Sequence, residues 1–333
     1  MTTYRDAGVD IDAQDRALAQ VKKMVRATYT PEVLSDQGAF GGLFRMPLKG
    51  LKEPVLVASA DGVGTKLKLA FACGRHTTVG RDLVHHCIND ILVQGARPLF
   101  FLDYLATGRL DPEVATDVIG GVAAACLDHG VALLGGETAE MPGFYADDEY
   151  DLAGFIVGVV DRRQILDGSA VRDGDLLVGL PSTGLHTNGY SLARRVFFDE
   201  LGLGPADHVP ELGRSIGEEL LEVHRCYLAP LKPLLGGGCL HAMAHITGGG
   251  ITDNLPRVLP EDLRAVIKVG AWDIPPVFRI LAEKGQVPED DMWRTFNLGV
   301  GMILAVPPKH LERVLRSLRE AGCKGFPMGN IVK

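Results

Sequence analysis

Apolar and polar positions along the chain keep two different periods, and the switches between them predict alternating strands and helices. A β-branched run at 55–59 ends at the turn-like tetrapeptide DGVG, which predicts a strand that delivers that turn. From 79 to 94 the period lengthens to that of a helix. Leu83, Cys87 and Ile91 form one apolar stripe there, while Asp82, His86 and Asp90 recur four residues apart along another face. Residues 98–105 read as a strand, and Pro112–His129 as a helix opened by Asp111 and Pro112 and closed by Gly130. Residues 131–134 and 152–160 read as further strands.

The stretch 161–175 is polar and turn-rich, which predicts a boundary between a first domain, 1–168, and a second, 169–333. The second half opens with a strand at 176–180. Helices are predicted near 189–200, 218–235, 252–259, Pro276–Lys284 and 308–321, and strands near 264–269 and 299–306. Both halves are mixed α/β in pattern, without a short internal repeat.

Composition narrows the setting. A length of 333 residues suits two domains of ~150 residues. With 46% hydrophobic and 23% charged residues the chain is a folded globular protein. Lys and Arg total 34 against 42 Asp and Glu, a net charge of −8 with no basic run, so a nucleic-acid partner is not expected. Phosphorylated ligands would instead be met by metal ions and backbone N–H groups. The six cysteines (Cys73, Cys87, Cys126, Cys226, Cys239, Cys323) include no C-x-x-C pair, which argues against a zinc site or a disulfide scaffold and for a cytoplasmic setting. The N-terminal stretch is acidic and lacks an apolar core, and the longest apolar run, 152–160, is half of the ~20 residues a bilayer-spanning helix needs. Neither a signal peptide nor a membrane partner is expected.

Candidate chemistry sits in glycine-rich turns. Asp61-Gly62-Val63-Gly64-Thr65-Lys66 follows a strand but matches neither the dinucleotide fingerprint nor the Walker A spacing. It offers a carboxylate, free amides, a hydroxyl and an ammonium within one turn, a set that suits a Mg²⁺–phosphate ligand with Lys66 on phosphate oxygens. An ordinary β-turn with Asp61 capping its own backbone is the alternative. Asn89 and Asp90 gain weight only if they converge with Asp61. Gly135-Gly136-Glu137-Thr138-Ala139-Glu140 reads as a loop at a strand's C-terminal end, the usual ligand edge of an α/β sheet, or as acids facing water. In the second half, the segments 181–189 and 245–254 each run through small polar residues into a helix start, which can hold an anion. Thr187, Asn188 and Thr252 read equally well as simple caps, and His186 and His245 as hydrogen-bonded structural histidines. No G-x-S-x-G elbow supports nucleophilic catalysis.

Seven segments together carry a resemblance: DGVGTKL at 61–67, INDI at 88–91, PLFFLDYLATG at 98–108, GGETAEMPGFY at 135–145, LHTNGYSL at 185–192, HITGGGITDNLPRVLP at 245–260 and FNLGVGM at 296–302. In this order the chain closely resembles the phosphoribosylformylglycinamidine cyclo-ligase (aminoimidazole ribonucleotide synthetase) family, from YRDAGVDID at 4–12 to the last strand. The resemblance implies a two-domain α+β subunit. Its N-terminal mixed sheet, with helices, pairs across a homodimer interface, and an α/β sandwich-like C-terminal domain completes the cleft. It implies ATP and Mg²⁺ as cofactors and ring closure of formylglycinamidine ribonucleotide to 5-aminoimidazole ribonucleotide in purine biosynthesis. The formyl amide oxygen is phosphorylated and the amidine nitrogen attacks.

Carried over by residue, the resemblance implies Asp61, Asp90 and Glu137 as metal ligands. Lys22, Gly41, Gly42, Asp61, Gly62, Gly64, Thr65, Asn89, Asp90, Gly136 and Glu137 are then expected around ATP. His186, Thr187, Asn188, Thr247, Gly248, Gly249 and Gly250 are expected on the substrate. Asp61, Lys66, His186 and His245 are expected in catalysis, with 33–44 as a candidate lid. Ala39, Arg97, Thr183 and Thr187 depart from the family pattern without removing a group this chemistry needs. Selenophosphate synthetases, thiamine-monophosphate kinases and the HypE-type maturation proteins share the superfamily shape. The first of these carries a reactive residue near its N-terminus, whereas the first cysteine here is Cys73.

Overall fold

In the computed structural model, which describes residues 8–36 and 40–333, helix α1 (Ile11–Ala27) precedes a four-stranded mixed sheet. Residues 4–7 of the YRDAGVDID segment, and Ala39, lie outside the described residues. The sheet is built from β1 (Pro54–Gly62), β2 (Arg97–Thr107), β3 (Ala132–Glu140) and β4 (Tyr150–Asp161), in the order β1-β4-β2-β3. Only the β2–β3 pair is parallel. Helices α2 (Leu67–Cys73), α3 (Thr77–Leu92) and α4 (Pro112–His129) fill the connections.

Strand alternation gives the sheet two unlike faces. Val57, Phe101, Leu105, Ile156 and Val160 point inward onto Leu83, Ile88 and Ile91 of α3 and Val118 and Val122 of α4. Gly80 and Gly121 let these helices touch backbone to backbone: a Cβ at Gly80 would strike the Val118 carbonyl, and one at Gly121 the Thr77 carbonyl. The outer face is left open, with Leu56 58% and Phe155 46% exposed.

The second half forms a five-stranded antiparallel sheet in the order β8-β10-β5-β11-β9. In chain order its elements are β5 (Leu176–Pro181), α5 (Tyr190–Arg194), the short ribbon β6 (His208–Val209) and β7 (Arg214–Ser215), α6 (Ile216–Leu220) and α7 (Leu228–Leu231). There follow β8 (Ala242–His245), α8 (Gly250–Asn254), β9 (Arg264–Ile267), α9 (Pro276–Lys284), α10 (Glu289–Thr295), β10 (Val300–Val306), α11 (Leu311–Glu320) and β11 (Phe326–Val332). Among the described residues no helix is long and apolar enough to cross a membrane.

Three expectations change. Strand β1 runs on through Asp61 and Gly62, which pair with Gly154 and Ala153, so Asp61 sits at a strand end and not in a free turn. Residues 135–140 are strand, not loop, because β2 extends to Thr107 and pairs with them in parallel. The helix predicted near 218–235 breaks after Leu220. Between it and α7, the backbone groups of Glu222, His224, Arg225 and Tyr227 bond to Lys66, Asp82 and Asn89 of the first domain instead of to a helical ladder.

Candidate active site

Helix α3 supplies the site's spine. One face carries Asp82, His86 and Asp90 a turn apart, directed at the second domain. His86 Nε2 donates to Asp61 Oδ2 at 2.7 Å and lies 3.7 Å from Asp90 Oδ2, so one imidazole gathers the carboxylates of β1 and α3. Asp90 also accepts from Ser59 Oγ at 3.0 Å and from His245 Nδ1 at 2.9 Å. Both acids keep an open side, with 42% and 24% of their side chains exposed.

The electrostatics follow from this clustering. Burial alone would lift both carboxyls, but hydrogen bonds and charge from His86 and His245 outweigh it and hold Asp61 and Asp90 below their ordinary values. Burial would lower His86, yet the bond to Asp61 and the charges of Asp90, Asp61 and Asp82 win and raise it. The result is two carboxylates from separate elements held toward the anionic form beside an imidazole held toward the cationic one.

Loops of the second domain close over the same point. Thr187 Oγ1 lies 2.7 Å from His86 Nδ1. A Cβ on Gly64 would stand against the Thr187 carbonyl, and Thr65 Oγ1 is 3.0 Å from Ser191 Oγ. His186 is held in the left-handed region at φ 63° although it is not glycine, a strained conformation fixed by its surroundings. Tyr190 donates to its carbonyl, and the Thr183 N–H donates to its Nε2 at 3.1 Å. Burial drives the His186 and His245 imidazoles toward the neutral form.

The glycine loop 247–250 lies alongside, with Asn188 Oδ1 facing Gly248. Asn254 Nδ2 donates to the carbonyls of Thr247, Gly248 and Gly250, shaping the loop, and Gly248 is exposed at its tip.

Lys66 is turned away from this opening. It is fully buried, 2.8 Å from Asp82 Oδ2, and donates to the Glu222 carbonyl at 2.7 Å. The expected phosphate contact is corrected accordingly: Leu67 and Leu69 start a buried helix, and Lys66 turns inward with them. Asn89 is likewise committed, accepting from Tyr227 N–H and donating to the Arg225 carbonyl, which leaves no amide for ATP.

The remaining expected nucleotide residues form a second group at the opposite edge of the first sheet. Register aligns Asp61 with Gly154, Asp103 and Gly136 across four strands, so Asp61 and Gly136 are three strand spacings, about 14 Å, apart. Glu137 is exposed and alternates to the outer face, away from Asp61 and Asp90; within one chain it cannot share their metal ion. Gly42 lies against Leu134 of the same edge, Gly41 is exposed, and Lys22 is exposed on α1, which packs on α4 and β3. The 33–44 segment is joined at its base by a bridge between Val33 and Phe44.

Sequence reasoning passed over His224, which enters the cluster from the break after α6 with Nε2 3.1 Å from His245 Nε2. No motif marks it. Asn254 lay inside a quoted segment but carried no role.

The chain matches family models described as AIR synthase related protein, N-terminal domain, over 48–160, and AIR synthase related protein, C-terminal domain, over 172–333. It is 54% identical over 331 residues to phosphoribosylformylglycinamidine cyclo-ligase of Citrifermentans bemidjiense, covering 99% of this chain and 95% of that protein. The protein of the same name from Alkaliphilus oremlandii is 49% identical, with 99% and 97% covered. Among solved structures, thiamine-monophosphate kinase from Stenotrophomonas maltophilia K279a superposes with a TM-score of 0.72 at 18% identity, covering 94% of this chain and 93% of that one. Hydrogenase maturation protein HypE in complex with ATP gives 0.65 at 19% identity, covering 98% and 88%.

Proposed function

This chain belongs to the phosphoribosylformylglycinamidine cyclo-ligase family, and from that premise we propose how its own residues carry out ATP-dependent ring closure. The activity is that of an enzyme forming a ring C–N bond in purine biosynthesis. An amide oxygen is a very poor leaving group. Transfer of the γ-phosphoryl group of ATP to the formyl amide oxygen makes it a good one, which the amidine nitrogen then displaces. Little covalent chemistry is left to the protein, so positioning and charge neutralisation carry the rate.

The convergence of Asp61 and Asp90 on His86 is the observation that carries this reading. Two part-exposed carboxylates from separate elements, held as anions, form a donor set that suits a hard cation. They would hold Mg²⁺, which offsets the charge of the triphosphate. Gly64 and Thr65 are exposed in the turn that follows, whereas the Gly62 N–H is taken up by Asp61 Oδ1 at 2.7 Å. The loops 186–188 and 247–250 supply the small polar lining for the ribonucleotide, with the exposed Gly248 at the turn. His245, oriented by Asp90 and 6% exposed, is the imidazole we assign to take the amidine proton. His186, 1% exposed, lines the wall behind it.

The β3-edge group of Lys22, Gly41, Gly42, Gly136 and Glu137 is too far away to meet Asp61 within one chain. We assign it to the nucleotide pocket of a facing copy, in a cytoplasmic homodimer whose first-domain sheets meet through the open apolar faces carrying Leu56 and Phe155.

Incubation of the purified protein with ATP, Mg²⁺ and formylglycinamidine ribonucleotide should yield the aminoimidazole product and ADP together. Asp61→Asn should lose turnover by a factor on the order of 10²–10³ while remaining folded. Hydrolysis of ATP regardless of the ribonucleotide, or a fully active Asp61→Asn protein, overturns the reading.

A further inference from the structure

The FNLGVGM segment at 296–302 holds no role in the ring-closing reading, yet Asn297 within it is 3% exposed and bonded at both ends of its amide. Its Oδ1 accepts from the Gly299 N–H at 2.8 Å and lies 3.0 Å from Ser182 Oγ, and its Nδ2 donates to the Gly184 carbonyl at 2.9 Å. The Ser182 N–H donates to the Gly299 carbonyl at 2.9 Å. One amide thus ties the entry to β10 to the turn 182–184 that leaves β5. Leu298 is held at φ 50°, in the left-handed region although it is not glycine, and the Trp272 indole N–H secures its carbonyl at 2.8 Å. Such a backbone persists only where its surroundings dictate it, so Asn297 is itself firmly placed.

The turn it holds fixes His186. Thr183 Oγ1 donates to the Val223 carbonyl at 2.6 Å, and the Thr183 N–H donates to His186 Nε2 at 3.1 Å. A backbone N–H can only donate, so Nε2 is the bare nitrogen and the neutral ring carries its proton on Nδ1. That Nδ1 is buried without a hydrogen-bond partner. The last torsion of a histidine is broad, and the Thr183 N–H is what selects this plane although it leaves the donor unpaired. The held ring stacks on His224, with centroids 3.9 Å apart and planes at 21°, and the His224 ring stands 5.2 Å from that of His245. A shift of His186 therefore disturbs the packing behind the imidazole assigned to the amidine proton.

We propose that Asn297 is a positioning residue for ring closure: through the turn 182–184 it sets the plane and tautomer of His186, and through the His186–His224 stack the placement of His245. The effect on turnover rests on the ring-closing reading. The tautomer of His186 does not, because it is measured without ATP or ribonucleotide.

The test combines nitrogen NMR of histidine-labelled protein with steady-state kinetics on wild type, Asn297→Ala and Asn297→Asp, with His186→Gln to identify the His186 signals. Asn297→Asp keeps the Oδ1 acceptor and loses only the donor to Gly184, so it carries the test should Asn297→Ala melt early. The expected wild-type pattern is a protonated Nδ1 and a bare Nε2 at His186. In the variants that pattern should give way to mixed tautomers, with kcat lowered about tenfold or more and KM for ATP near its wild-type value. A wild-type His186 protonated on Nε2 overturns the proposal. So does an unchanged tautomer in a folded variant, whatever its turnover, and so does full turnover beside a changed tautomer.

Discussion

Lys66 Nζ lies 2.8 Å from Asp82 Oδ2, and neither side chain is exposed. Burial lowers the ammonium and raises the carboxyl from their ordinary values, each held in place by the other's charge. The pair joins the turn after β1 to α3, and through the Glu222 carbonyl and the His224 N–H it joins both to the second domain. Removing one partner strands the other charge in the interior.

Lys66→Met should therefore destabilise the protein by about 3–5 kcal/mol, while Lys66→Met with Asp82→Leu should recover much of that loss. Urea unfolding measures both. A Lys66→Met protein of wild-type stability but without turnover would return this lysine to the phosphates.

Asp103 makes a pH-linked prediction. It faces the interior beneath Gly136, where any Cβ would collide with its Oδ1, and burial lifts its carboxyl to about 7. In the unfolded chain it titrates near 3.8, so the folded state holds its proton more tightly. Its contribution is fully present below that value and is lost as pH rises toward 7. A gap of about three pH units, at ~1.4 kcal/mol each, amounts to about 4 kcal/mol. Asp103→Asn should flatten the fall in stability between pH 4 and 7 and leave the protein more stable above it. Unchanged pH dependence in chemical denaturation would rule this out.

The parts of the site legible in the sequence were those fixed by short-range pattern. Helical spacing already stacked Asp82, His86 and Asp90, and glycine turns marked where Asp61 and the 247–250 loop would lie. Lys66 misled because it closes a glycine-rich polar turn, whereas its burial is decided by Leu67, Leu69 and a carboxylate sixteen residues on. His224 was invisible for the converse reason. The segment 218–235 has helical composition, and only bonds from Asn89, Asp82 and Lys66 break it into the loop that delivers the imidazole. Asp61 and Glu137 looked alike as glycine-flanked acids, and only strand order separates them.

His86 carries a raised value set against burial by Asp61, Asp90 and Asp82. Its stabilising contribution is complete below the ordinary histidine value of about 6.5 and is lost as pH climbs through the higher folded-state value. The stability difference between wild type and His86→Gln should therefore shrink as pH rises above 6.5. Thermal melts from pH 6 to 9 check the sign. A difference that grows with pH would mean that His86 is neutral in the fold.

Leu56 and Phe155 stand on adjacent strands of the open sheet face, 58% and 46% exposed. This is the face through which the proposed homodimer is assigned to form. Leu56→Asp should convert a dimer into a monomer at micromolar concentration, by analytical ultracentrifugation, with its melting cooperativity retained. Because the β3-edge group is assigned to the facing copy's pocket, ATP binding should fall with dimer content. A wild-type monomer with full turnover would overturn both assignments.

Asn254 reaches back to the carbonyls of Thr247, Gly248 and Gly250 with a single amide nitrogen and is 4% exposed. The loop's own turn bond runs from the Gly250 N–H to the Thr247 carbonyl, and Asn254 adds its side-chain bonds to that. Gly249 and Gly250 both have positive φ, and a Cβ on Gly250 would collide with the Trp293 carbonyl. Asn254→Ala removes the side-chain donor these carbonyls share, a loss of about 1–3 kcal/mol. Because the loop is assigned to the ribonucleotide in the proposed mechanism, the cost should appear as a raised KM for the ribonucleotide, with KM for ATP little changed. Steady-state kinetics in each substrate separates the two. An equal rise in both would place the loop against the nucleotide as well, and an unchanged ribonucleotide KM would remove it from the substrate pocket.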